Sequence, residues 1–106
     1  MPKLAIWAQL EAKPGKEQEV AEFLKVGATL AEKEPQTDSW YGVRLGPTSF
    51  GVFDTFADEA GRNAHLTGEI AKALFAKAEG LFAKPPEIHK IEVLAAKKAS
   101  AAKAAS

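Results

Sequence analysis

The chain has no cysteine. Disulfides, thiolate nucleophiles and thiolate metal sites are therefore excluded, and a reducing compartment suits the composition. It also lacks an excess of either charge: fourteen basic residues balance fourteen acidic ones. Nothing in that balance draws the whole chain toward nucleic acid or an anionic membrane. No apolar run approaches the roughly 20 residues that cross a bilayer. The opening Leu4-Ala5-Ile6-Trp7 mimics the start of a signal peptide. It fails by Gln9 and Glu11 and no small-residue cleavage site follows, so it reads as a strand and the expected location is the cytoplasm. There is no glycine-rich phosphate loop, dinucleotide fingerprint or serine elbow. The histidines, His65 and His89, lack metal-ligand spacing, and no acid pair suits glycoside cleavage. Any chemistry must rest on a histidine, aromatic groups and the reactivity of the substrate.

What is present is a 106-residue chain, 46% hydrophobic, of a size for one domain with a modest core. Leu4, Ile6, Ala8 and Leu10 alternate with Ala5, Trp7, Gln9 and Glu11, a period-two strand ending near Lys13-Pro14-Gly15. A helix is expected over about 16–33, with Val20, Phe23, Leu24, Gly27 and Leu30 as its buried stripe. Pro35 closes it. Strands follow over 39–45 and 49–56, joined at Gly46-Pro47-Thr48. On the first of them Tyr41, Val43 and Leu45 share one face, taken as the helix side, and Trp40, Gly42 and Arg44 the other. On the second, Phe50, Val52, Asp54 and Phe56 line one face, Ser49, Gly51, Phe53 and Thr55 the other. Asp58 is placed to cap a helix carrying Arg62, Asn63 and His65. Thr67-Gly68-Glu69 marks a break before an amphipathic piece bearing Ile70, Leu74, Phe75 and Ala78, and a last strand runs over about 87–94.

The order strand, helix, strand, strand, helix, strand is that of a ferredoxin-like α+β plait, an antiparallel sheet with helices on one face. The domain is expected to span 1–95. The remainder, an Ala/Lys-rich tail over 96–106, lacks an apolar stripe and reads as a frayed helix or disorder. Trp7, Trp40 and Phe53 on the uncovered face call for a cover, and a homodimer stacked sheet on sheet supplies one.

His65 is the foremost candidate for chemistry, since imidazole titrates near neutrality. It either bonds a strand carbonyl at the helix–sheet interface or points into a pocket beside Phe50, Val52 and Asp54, where it serves as a base or an oxyanion donor. Asp54 is an anomaly among Phe50, Val52 and Phe56, because a buried acid requires a partner. It orients His65, pairs with Arg62 or caps a turn near Asp58. Arg44 holds an anionic group or makes an ordinary salt bridge. Tyr41 donates to a bound carbonyl or is a satisfied core tyrosine. Asn63 enters through its nearness to His65.

The run Phe53, Phe56, Asp58-Glu59, Ala64-His65-Leu66, together with Trp40-Tyr41-Gly42-Val43-Arg44 and the 81–86 turn, resembles the antibiotic biosynthesis monooxygenase family of small dimeric α/β-barrel proteins. The likeness covers residues 4–94. It implies a homodimer joined through the sheet backs and a small aromatic ligand between sheet and helices. It further implies oxidation of a phenol, quinol or polyketide-like aromatic by dioxygen, without metal or flavin. His65 would then be the base, Tyr41 or Arg44 would steady the phenolate, and Phe50, Val52, Phe56 and Leu74 would clamp the ring. Other similar proteins only bind small molecules. A further set degrades haem through a helix histidine, but uses a first-strand asparagine where this chain reads Ile6-Trp7-Ala8.

Overall fold

The computed structural model describes residues 3–97. Its elements are β1 (Leu4–Glu11), α1 (Glu17–Ala31), β2 (Thr37–Arg44), β3 (Ser49–Phe56), α2 (Glu59–Leu66), α3 (Glu69–Leu81) and β4 (Glu87–Glu92). The four strands form one sheet in the order β2-β3-β1-β4, and every neighbouring pair is antiparallel. This is the ferredoxin-like plait, with its second helix broken into α2 and α3 at Thr67-Gly68. Of the tail, residues 98–106 lie outside the described residues. Among the described residues no helix is long and apolar enough to cross a membrane.

The core lies between the helices and one face of the sheet. Ala8, Leu10, Phe50 and Val52 meet Val20 and Leu24 of α1 and Leu74 and Leu81 of α3. That burial is the main source of stability, because apolar area removed from water contributes about 25 cal/mol per Å². At the sheet's end, Thr48 and Ser49 hydroxyls donate to the Glu11 carboxylate and tie the β2–β3 turn to β1.

The alternation along β2 is as expected, but its faces are reversed. Trp40 packs on the core, where its indole lies over Gly27 of α1 and Gly42 of its own strand. Tyr41 stands on the uncovered face and is 57% exposed. The reason is the pair of glycines. A Cβ at Gly27 would come within 3.0 Å of the ring, and one at Gly42 within 3.4 Å. Together they form the slot that an indole fills and a phenol does not need.

Trp40 therefore leaves the expected dimer face and Tyr41 joins it. On that face Tyr41 is opposite Phe53, Phe53 opposite Trp7, and Trp7 opposite His89. An aromatic row thus crosses all four strands. Gly51 lies beneath the Trp7 indole, which occupies the place of its missing side chain.

Gly51→Ala would put its Cβ 2.2 Å from Trp7 Cη2. Overfilling of this kind costs about 1–3 kcal/mol. Urea unfolding of the variant should show that loss, with red-shifted tryptophan emission as the indole is pushed off the sheet. An unchanged midpoint would contradict the packing.

Candidate functional site

The site is built where α2 crosses β3. Asp58 caps α2, its Oδ1 accepting from Gly61 N–H at 2.9 Å. Gly61 permits the first turn to press on the loop after α1, since a Cβ there would meet the Gln36 carbonyl at 3.0 Å. One turn later His65 points inward and is 8% exposed. Its ring lies against Phe56, with centroids 5.4 Å apart. Gly68, just past the helix end, allows a similar close approach to the Glu34 carboxylate.

Both ring nitrogens of His65 are engaged by carboxylates. Nε2 lies 2.8 Å from Asp54 Oδ2, and Nδ1 lies 2.7 Å from Glu34 Oε1. Protonated, the ring donates from Nδ1 to Glu34 and sets its Nε2–H beside Asp54 as an ion-pair contact. Burial opposes the charged ring, but Asp54 and then Glu34 outweigh it, and the pKa of His65 is raised above its ordinary value. Asp54 is 1% exposed. An ion of that depth is tolerable only with a bonded counter-ion. Glu34 also accepts from Thr37 Oγ1 at 2.7 Å.

Neither Asp54 oxygen makes an aligned hydrogen bond within the protein: Oδ2 has only its 2.8 Å contact with the His65 ring and Oδ1 has no partner, and the buried Trp40 indole N–H has none either. Trp40 and Asp54 are directly opposite on β2 and β3. Both line one cavity of about 40 Å³, whose other walls include Ile6, Ala8, Leu24, Val52, Ile70 and Leu74, with His65 at one side. One water occupies about 10–15 Å³ on this scale. The cavity thus offers one acceptor and one donor in apolar walls. A hydroxyl satisfies both.

Of the residues expected to form the site, His65, Asp54, Val52 and Leu74 come together here. Phe56 contributes by packing on His65. Phe50 is instead buried in the main core, with Arg44 stacked over its ring at 4.6 Å. Arg44 is opposite Phe50 while Trp40 is opposite Asp54, so the guanidinium belongs to the far end of the strand. Tyr41 is on the other face of the sheet. Asn63 is exposed, and its carbonyl serves Thr67. Arg62 bonds the Ala5 and Ile91 carbonyls rather than Asp54. His65, the expected base, has Glu34 at Nδ1 and Asp54 at Nε2, and the oxygen without any contact is Asp54 Oδ1. Glu34 went unnoticed because it lies in the charged stretch Glu32-Lys33-Glu34 that reads as a solvated helix end.

On the outer side of His65 lies a groove of about 420 Å³ lined by Glu34, Lys33, Gln36, Gly68 and Glu69 among others. A larger groove, about 570 Å³ beside α1 and α3, is lined by Lys16, Glu19, Glu22 and Lys77 among others and contains none of the site's groups.

No family model and no curated protein matches the chain. Among solved structures it is similar to NE2512, a protein of unknown function from Nitrosomonas europaea. The identity is 53%, covering 94% of this chain and 97% of that one, with a TM-score of 0.91. It is also similar in fold to two provisionally assigned antibiotic biosynthesis monooxygenases. The one from Nitrosomonas europaea is 14% identical over 87% of this chain and 99% of its own, with a TM-score of 0.77. The one from Caulobacter crescentus is 20% identical over 89% and 92%, with a TM-score of 0.74.

The raised pKa of His65 has a sign. The imidazolium's contribution to stability is complete below the ordinary value of 6.5 and is lost as pH rises through the folded-state pKa. Urea midpoints for the native chain and His65→Gln should therefore converge as pH increases above 6.5. Each tenfold of proton affinity corresponds to about 1.4 kcal/mol. A gap independent of pH would show that the ring is not held as an ion.

Proposed function

Because the chain belongs to the family of Nitrosomonas europaea NE2512 and has the antibiotic biosynthesis monooxygenase fold, we propose that it oxidises a small phenol, quinol or polyketide-like aromatic with dioxygen. The observation that carries this reading is the unpartnered Asp54 Oδ1 and the unpartnered Trp40 N–H, on residues that pair across β2 and β3 and line one apolar cavity. A substrate hydroxyl donates to the carboxylate and accepts from the indole. In this reading Asp54 takes the proton, and His65 is the counter-ion that holds Asp54 ready.

The electrons come from the substrate itself. Transfer of the O–H proton to Asp54 leaves a phenolate, which passes one electron to dioxygen. The resulting phenoxyl and superoxide radicals combine, forming a C–O bond, and protonation gives a hydroperoxide. Loss of the hydrogen on the same carbon breaks the O–O bond and expels water, leaving a carbonyl. A methylene or ring C–H carbon becomes C=O and one dioxygen supplies both the carbonyl oxygen and the water. The apolar walls keep bulk water from the anion and the radical pair.

An aromatic ring exceeds the cavity's 40 Å³. Entry therefore requires Phe23 of α1 and Phe75 of α3, which line its edge, to move apart. The same narrowness favours a second reading, a non-catalytic binder of small hydroxylated molecules. Haem degradation is disfavoured, since both nitrogens of the helix histidine face carboxylates.

The aromatic row of Tyr41, Phe53 and Trp7 supports a homodimer stacked through the uncovered sheet face, with Trp40 removed from that interface. Light scattering at micromolar protein should give twice the chain mass, and Phe53→Glu should halve it. A native chain of single mass would end the dimer reading.

Oxygen uptake with menadiol-like quinols and anthrone-like phenols tests the activity. Saturable uptake above spontaneous oxidation is expected. General-base contributions of about 10²–10⁴ set the expected loss of kcat in Asp54→Asn. Binding without uptake would favour the binder, and full activity in Asp54→Asn would remove Asp54 as the base.

A further inference from the structure

His65 is the partition between a small enclosed space of about 40 Å³ and an open groove of about 420 Å³. Inside is the apolar cavity, which contains Asp54 but not Glu34. Outside is the wider, open groove, which contains Glu34 but not Asp54. The imidazole borders both. The two carboxylates differ in depth as well: Asp54 is 1% exposed and Glu34 is 20% exposed.

That difference separates their roles. A carboxylate in contact with water remains ionised with little help, whereas one in a dry cavity takes up a proton unless a cation is bonded to it. Asp54 alone facing His65 would share a single proton with it, and the pair could settle as a neutral acid and a neutral ring. A second carboxylate on Nδ1 favours the imidazolium and orients its Nε2–H toward Asp54. Thr37 Oγ1 holds Glu34 in position from β2, and Gly68 permits the close approach.

We propose that Glu34 is a positioning residue for Asp54, acting through His65 from the outer groove so that Asp54 remains an ionised acceptor in the cavity. The inference rests on the reading of Asp54 as the base. The other charged groups around the ring are accounted for. Lys33 and Glu69 line the outer groove with opposite charges. Arg62, on the same helix as His65, is engaged with the Ala5 and Ile91 carbonyls. Asp58 is committed to the α2 cap. From β1 and β2 the cavity receives Ile6, Ala8 and Trp40, none of which is charged.

The test is the ¹⁵N NMR titration of the His65 imidazole in the intact chain, assigned by the signal lost in His65→Gln. In the native chain both ring nitrogens should be protonated at neutral pH. Glu34→Gln should lower the midpoint by about one unit or more, a shift typical of losing a bonded opposite charge. Above that midpoint the neutral ring should keep its proton on Nε2, toward Asp54. Glu34→Asp keeps the charge but withdraws it. Its midpoint should fall between the two, and it carries the comparison if the glutamine chain does not fold. A midpoint unmoved by Glu34→Gln, or by Glu34→Asp where that variant carries the test, would overturn the proposal.

No substrate is needed for these readings. Failure of oxygen uptake would remove the oxygenase while a lowered midpoint would still show Glu34 acting on His65, and an unmoved midpoint would remove Glu34's role whether or not oxygen is taken up. With a turning-over substrate, Glu34→Gln should lower kcat, leave KM in place and shift the pH profile to lower pH. A loss confined to KM would contradict action through His65.

Discussion

A single carboxylate buried in an apolar interface constrains the rest of this structure. Asp54 is on the helix-facing side of β3, between Val52 and Phe56, buried from bulk solvent. Left alone there it would be neutral or the fold would open. His65 meets the need, and much of the local architecture exists to deliver that ring. Asp58 caps the helix that carries it, Gly61 lets the helix settle against the loop after α1, and Gly68 lets the helix end close on Glu34. Phe56 fixes one side of the ring. The loop bearing Glu34 is thereby joined to the centre of the sheet through one imidazole.

The tryptophans impose a second constraint, on the two sides of the sheet. Each indole lies where a side chain is missing: Trp40 over Gly27 and Gly42, Trp7 over Gly51. The glycines cost backbone entropy in helix and strand, and the aromatic burial they permit offsets it. Trp40, paired with Asp54 across β2 and β3, thereby becomes a wall of the cavity and supplies an unpartnered N–H, so the packing of the core and the polarity of the site involve the same residue.

The fold was legible because period-two and period-3.6 patterns are local properties of the chain. Strand alternation sorted Trp40 from Tyr41 correctly, but it could not say which set turns inward. That depends on what the opposite helix offers, and the slot at Gly27 was the available signal. Asp54 and His65 stood out in the sequence as polar residues among apolar ones. Glu34 did not, since a glutamate beside Glu32, Lys33 and Pro35 looks like any helix end. Its role follows from Gly61 and Gly68, whose spacing brings the loop against α2, and such contacts are tertiary. Arg44 was misplaced for a related reason: a strand residue four positions from Trp40 on the same face is about 13 Å away.

The fold by itself does not select a reaction, but the charge of the site narrows its ligands. Glu34 and Asp54 are two acids around one imidazole, so acidic groups outnumber the basic one in the cluster. A carboxylate or phosphate entering the cavity would meet that acidic excess in a medium that screens it poorly. An amine could donate to Asp54 Oδ1 but, once protonated, could not accept from the Trp40 N–H. A ketone could accept but not donate. An unionised hydroxyl does both, and its proton has a carboxylate to move to. This argument holds for a binder as well as for an oxygenase. What separates them is whether the anion, once formed, lies in a space that dioxygen can share, and that depends on how far α1 and α3 part to admit the ring.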